Sequence, residues 1–334
     1  IAGCGGGDKG TSEPPKPKPI AADLKDLPNK DVKVGIKTFK LFTLKNNSNL
    51  HLQNTYSKGM RVAVVGRDMI YANIKDRLVQ MRWDKDGLRM LDNNVDSMSG
   101  NAKISSDGTR GIFYTNKRMR LNYFDSETKR IEEAQGRFNN LVVIPKGNAD
   151  KALIWMNQGE MRKVDLRNGY RVGKDLGTVR KESRSRDAAD KDKINIPQSV
   201  VADRNGDFYV GGNARIGTQD VGLVSVYDFN GKQKRVIGKE KREDSNAINS
   251  LTDIALTDEY LVVSDSSVDK QQLQIYRKNT GTLVGTVSYK DLTDNKETSI
   301  GACVNLANMP DNRVLVALSN DRKNIKDEFF ILQL

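Results

Sequence analysis

Short apolar runs separated by turn residues recur along most of the chain, and residues 199–239 show the pattern most plainly. The stretch SVVADRNGDFYVGGNARIGTQDVGLVSVYDFNGKQKRVIGK reads as strand, Asn-Gly turn, strand, loop, strand, Asn-Gly turn, strand. Asn-Gly between β-rich runs is the strongest short hairpin signal, because both central residues tolerate φ > 0. Four strands that meander within one such stretch make a blade of a β-propeller.

The third strand and its turn recur in VQMRWDKDG (79–87), RLNYFDSET (120–128), MRKVDLRNG (161–169), LVSVYDFNG (223–231) and LQIYRKNTG (273–281). These turns centre near 86, 126, 168, 230 and 280, steps of 40, 42, 62 and 50 residues. The long step holds the polar insertion KESRSRDAADKDK, residues 181–193. First-hairpin turns recur at Gly66-Arg67, Asp107-Gly108, Gly147-Asn148, Asn205-Gly206, Thr257-Asp258 and Pro310-Asp311. The expectation is an all-β chain, a six-bladed β-propeller over 32–334, with seven blades as the alternative; two smaller β domains fit the even period less well. The last unit reaches only its third strand, EFFILQL. The run VKVGIKTFKLFTL (32–44) alternates apolar Val32, Val34 and Ile36 with polar or small residues, so it is expected to close the ring as an N-terminal strand paired with the last blade.

The 199–239 segment resembles the NHL repeat in its cadence, SVVADRNGDFYVGG followed by GLVSVYDFNG, and TDIALTDEYLVVSDSS with LQIYRKNTG follows it less closely. That resemblance implies a propeller. Its motif encodes packing and turns rather than an activity.

Composition narrows the chemistry. The 334 residues include two cysteines, Cys4 and Cys303, and one histidine, His51. That excludes a His-cluster zinc site and leaves little scope for a catalytic triad. Cys303, in GACVNLA, reads as a small core residue and His51 as a surface or loop residue. Asp203, Asn205 and Asp207 depart from calcium-loop spacing, because Gly206 precedes the third acid. They read as a hairpin turn with solubilising acids, as do Asp265 and Asp269. No G-x-S-x-G and no P-loop occur. No catalytic residue, metal ligand or cofactor is expected.

The net charge of +12 is the one functional signal. Residues 1–31 carry five lysines and five acids, so the excess falls on the propeller. Residues 110–130 carry +4 and residues 159–186 carry +5. Arg110, Lys117, Arg118, Arg120, Arg162, Lys163, Arg167 and Arg171 are therefore the candidate partner-binding residues, a basic sector that attracts anions most strongly at low salt.

The chain begins Ile1-Ala2-Gly3-Cys4, which resembles the lipobox that ends a bacterial lipoprotein signal peptide. The Gly-, Pro- and Lys-rich stretch after it suits a flexible tether over 1–31, spanning about 25–30 Å. The resemblance implies acylation at Cys4 and anchoring to a membrane. Gly5 stands where many inner-membrane lipoproteins carry Asp, which favours the outer membrane. The expected function is a lipid-anchored, non-catalytic protein–protein interaction scaffold of the bacterial cell envelope. Its expected partners are other envelope proteins or anionic envelope polymers, with no nucleic acid. The alternatives are a metal-dependent lactonase- or lyase-like propeller and, more weakly, a binder of anionic glycan or nucleic acid.

Overall fold

The computed structural model describes residues 23–52, 59–100, 102–133, 140–146, 150–157, 160–165, 171–178, 194, 196–216, 219–238, 244–294, 302–320 and 325–334. After a short 3-10 turn at Leu24–Asp26 come β1 (Asn29–Val34) and β2 (Lys37–Leu44). Four-stranded sheets follow. The first holds β3 (Val62–Val65), β4 (Met69–Ile74), β5 (Arg77–Asp84) and β6 (Gly87–Ser97). The second holds β7 (Ile104–Ser106), β8 (Gly111–Thr115), β9 (Leu121–Asp125) and β10 (Ile131–Glu133). The third holds β11 (Asn140–Lys146), β12 (Asp150–Asn157), β13 (Glu160–Asp165) and β14 (Arg171–Thr178). The fourth holds β15 (Ile196–Ala202), β16 (Phe208–Ile216), β17 (Gln219–Tyr227) and β18 (Gln233–Ile237). The fifth holds β19 (Leu251–Leu256), β20 (Tyr260–Asp265), β21 (Gln272–Arg277) and β22 (Leu283–Ser288), followed by a one-turn helix, α1 (Tyr289–Leu292). The chain ends with β23 (Cys303–Met309), β24 (Arg313–Ser319) and β25 (Glu328–Gln333).

The first strands of successive sheets pack side by side: β3 on β7, then β11, β15, β19 and β23, with β23 returning to β3. This closed ring of inner strands around one channel is a β-propeller. The turns read at Gly66-Arg67, Asp107-Gly108, Asn205-Gly206, Thr257-Asp258 and Pro310-Asp311 fall between the strands they were meant to join, with Gly66, Gly108 and Gly206 in the left-handed region; Gly147-Asn148 and the turn near 168 lie outside the described residues.

Two expectations are corrected. Residues 32–44 are not one closing strand. Gly35, at φ +62°, turns the chain, and β1 and β2 form a hairpin in the sheet order β1-β2-β25-β24-β23. β2, not the first strand, pairs with β25, Leu41 opposite Leu332 and Phe42 opposite Ile331. A side chain at Gly35 would strike the Val284 carbonyl, and Ile36 sits fully exposed at the tip. The expected count of six blades, or seven, is corrected with it. Among the described residues, five sheets are four-stranded blades, each from one continuous stretch of chain. Where a further four-stranded blade was expected, a five-stranded sheet drawn from both chain ends completes the ring.

The core lies between sheets. Val62, Val64, Ala307, Leu315, Phe329 and Ile331 fill the seam between the closing sheet and β3–β6. On its other face, Val34, Leu41, Val304, Val316 and Leu332 meet Val262, Ile275 and Tyr289. Burying each such side chain contributes roughly 1.5–3 kcal/mol. Leu24 and Leu27 are buried in the same core, so the chain belongs to the propeller from the 3-10 turn onward.

Candidate functional site

Two regions carry the polar groups that could act on another molecule: the central channel and the rim of the β7–β10 blade.

Gly59 and Met60, just before β3, form a plug bonded to three of the inner strands. Gly59 N donates to Thr252 O of β19 at 2.9 Å, and Met60 O accepts from Ile104 N of β7 at 2.8 Å. The Met60 thioether accepts from Val200 N of β15 at 3.3 Å. Lys103 Nζ donates to Gly59 O and, at 3.3 Å, to Gln198 O. Met60 holds φ +65°, a conformation that costs a non-glycine residue about 1–3 kcal/mol and persists only where the surroundings fix it.

Asp253 of β19 lies under this plug, 1% exposed. Its Oδ2 accepts from Met60 N at 3.1 Å and Leu306 N at 2.9 Å, and its Oδ1 from Ile254 N at 2.9 Å. One carboxylate therefore joins the plug, its own blade and β23 of the closing sheet. Burial pushes its pKa up, against the pull of Ser199 and the three N–H groups.

Beyond Met60 and Asp253 the channel holds a cavity of about 210 Å³. Among the described residues it is lined by the inner strands β3, β7, β15, β19 and β23, and it reaches exposed Gly108 at the other end. Asp107 stands at that mouth. Its Oδ1 accepts the N–H groups of Thr109 (3.0 Å), Arg110 (2.8 Å) and Gly111 (3.0 Å), and its Oδ2 accepts the Tyr123 hydroxyl (2.9 Å). Partial burial raises its pKa, but these hydrogen bonds outweigh that, and the net shift is downward. No cluster of three or more His, Cys, Asp or Glu side chains with metal-holding geometry occurs among the described residues.

On the rim, Arg110 Nε donates to Asp125 Oδ2 at 2.6 Å, and its Nη1 lies 3.5 Å from Glu127. Arg118 Nη2 donates to Glu133 Oε2 at 3.1 Å, and Arg120 Nη1 lies 3.6 Å from Glu133 Oε1. Asn116 Oδ1 accepts the backbone N–H groups of Arg118 and Arg120, which fixes the turn between β8 and β9. Lys117 is exposed on the same turn. Arg118 is 76% exposed, Arg110 and Arg120 48% each. Arg118 and Arg120 thus share the β8–β9 turn beside Glu133, whereas Arg110 stands beside Asp125 at the opposite end of β8. Glu133 was missed because it lies just past the basic window; the IEE run after Arg130 was its signal.

Of the other expected residues, Arg162 and Lys163 lie on β13 and Arg171 on β14, where Arg171 pairs with Asp165 in register. Cys4, Arg167 and the 181–193 insertion lie outside the described residues.

Four readings change with the fold. His51 does lie between β2 and β3, but its side chain is only 16% exposed, and its Nδ1 is 2.9 Å from buried Asp327. Asp203 and Asp207 are not solubilising acids. They are buried and take Lys278 Nζ (3.0 Å) and Lys234 Nζ (2.7 Å). Asp265 is fully buried and accepts the N–H groups of Asn249, Ser250 and Ser267. Cys303 is half-buried at the start of β23 rather than in the core.

No family model matches the chain. No curated protein matches it either. Among solved structures, the chain is similar to the WD40 β-propeller domain of Doa1, with 12% identity, 85% of this chain and 95% of that one covered, and a TM-score of 0.49. A chain of a mitotic checkpoint complex gives 13% identity, coverage of 93% and 87%, and a TM-score of 0.46. The propeller assignment rests on the sheet order and the closed inner ring, not on these likenesses.

Proposed function

We propose that this propeller is a non-catalytic docking scaffold of the bacterial cell envelope, anchored by acylation of Cys4, that holds an acidic partner protein on the β8–β9 turn through Lys117, Arg118 and Arg120. The outer membrane is the membrane favoured, on the Gly5 argument from sequence. The observation that carries the docking reading is the three-quarters exposure of Arg118 beside half-exposed Arg120 on one turn. Exposed ion pairs contribute about 0–1 kcal/mol, so stability does not account for gathering them there. Glu133 instead holds both guanidinium groups in place, which lowers the ordering cost when a partner's carboxylates bind them.

The test is crosslinking in intact cells at low salt, with identification of the captured protein. The double variant Arg118→Glu and Arg120→Glu is expected to reduce capture about tenfold or more. Unchanged capture refutes the docking turn. Cys4→Ser is expected to move the protein from the membrane to the soluble fraction, and its retention on the membrane refutes the anchor.

A further inference from the structure

We propose that the docking surface continues from the β8–β9 turn, past the end of β6, to the β4–β5 turn, and that it takes an acidic stretch of polypeptide laid across both blades, with carboxylates at Arg77 and Lys117. The extension rests on the docking reading above and adds the first blade to it.

The two turns are joined through the backbone. Arg77, at the start of β5, pairs with Ser97 at the end of β6, and Lys117 N donates to Ser97 O at 3.2 Å. Met98 N donates to Asp76 O at 2.8 Å, and Met98 forms an antiparallel bridge with Asn116. Arg77, Ser97 and Lys117 therefore make one row across three extended segments, and residues in one row point to the same face. All three are exposed, whereas Met98 and Asn116 in the next row are buried. Two strand spacings, about 10 Å, separate Arg77 from Lys117, with only a serine between them.

The charges along this surface are unequally committed. Glu133 lies beside Arg118 and Arg120, Asp96 accepts the Tyr114 hydroxyl and the Asn122 amide, and buried Arg61 lies within electrostatic reach of Asp76. Among the described residues, exposed Lys75, Arg77 and Lys117 carry no ion pair. Lys75 also holds φ +50°, a conformation that glycine adopts without steric cost, so its side chain is kept against the preference of the backbone. Unanswered cations spread over two blades favour a ligand with several linked charges over a single anion. The contact of Glu133 with both guanidinium groups shows that this surface accommodates a carboxylate. An extended chain rises about 3.3 Å per residue, so a run of about four acids reaches from Lys117 to Arg77.

The test is fluorescence anisotropy of a labelled decaglutamate peptide with the whole chain at low salt, with inorganic polyphosphate as competitor. Saturable binding is expected. Lys75→Glu with Arg77→Glu is expected to weaken it about tenfold or more, as is Arg118→Glu with Arg120→Glu. Lys75→Gly with Arg77→Gln, which relaxes the turn and removes both charges, is expected to weaken it about fivefold while the protein stays folded by circular dichroism. Lys33→Glu with Lys37→Glu, exposed on the β1–β2 hairpin, makes the same change in net charge and is expected to weaken binding less than about threefold. Loss at Arg118 and Arg120 but not at Lys75 and Arg77 overturns the extension and leaves the docking turn standing. Loss at Lys75 and Arg77 alone refutes the docking turn, and the continuous surface with it. No saturable binding, or an equal loss in the hairpin variant, overturns the site. Polyphosphate binding at least about tenfold tighter than the peptide overturns the polypeptide as partner.

Discussion

At each end of the channel an aspartate accepts three backbone N–H groups, yet the two are pushed in opposite directions. Asp253 has its donors spread over Met60, Ile254 and Leu306, which come from three parts of the chain. Asp107 takes its donors from the next four residues of its own turn, and Tyr123 supplies a fourth hydrogen bond. The number of N–H groups is the same; solvent access is not. Burial dominates at Asp253 and raises its pKa, whereas at half-buried Asp107 the hydrogen bonds dominate and lower it. The floor acid is therefore a fastener between blades, and the mouth acid holds its own turn.

Removing the fastener tests this contrast most severely. Asp253→Ala leaves three buried donors without an acceptor, each worth about 1–3 kcal/mol. We expect a loss of about 3–5 kcal/mol in urea unfolding, or failure to fold. Asp253→Asn keeps shape and one acceptor oxygen, and a smaller loss is expected. Its pH dependence carries the sign. A folded pKa above the unfolded one gives stability that is complete below the unfolded pKa and fades as pH rises through the folded pKa. The deficit of Asp253→Asn relative to the parent is thus expected to be largest in acid and to shrink toward neutral pH. A deficit that grows with pH refutes the raised pKa.

Gly59→Ala tests the plug itself at smaller cost. The new Cβ would strike the Thr252 carbonyl and press on the Asp253 carboxylate, so the plug must shift. A loss of about 1–3 kcal/mol is expected from such overpacking, measured as a fall in the urea midpoint without a change in slope. An unchanged midpoint shows that the floor is loose and that Asp253 does not bind it tightly to the blades.

What the sequence showed of this contrast, and what it hid, follows from the range of the interactions. Asp107-Gly108 and Asn205-Gly206 were legible as turns because a glycine with φ > 0 is a local requirement. The same locality made the β15–β18 blade legible in full. The fastening of Asp253 was not legible, since Met60 and Leu306 lie 193 and 53 residues away. The burial of Asp203 was hidden likewise, because Lys278 reaches it across 75 residues. The closing hairpin was half legible. Alternation at Val32 and Val34 was read correctly as burial, but Gly35 was the turn signal that should have split a thirteen-residue run. The basic window was legible as charge and not as geometry: Glu133 pairs with two of its arginines from outside it.

The smallest effect is expected at the mouth, and it sharpens the comparison because its pH slope is opposite. Asp107→Asn keeps one acceptor oxygen for the turn and loses the charge. Its site is half-buried, and solvent can satisfy the N–H groups it releases, so a loss of about 1 kcal/mol at neutral pH is expected. A folded pKa below the unfolded one gives stability that is present above the unfolded pKa and disappears as pH falls through the folded pKa. The deficit of Asp107→Asn should therefore be full at neutral pH and vanish in strong acid, the reverse of Asp253→Asn. Urea midpoints of the parent and both variants, taken from pH 7 down to pH 3, place the two slopes side by side. If both deficits move in the same direction with pH, burial and hydrogen bonding do not divide the two ends of the channel as the geometry requires.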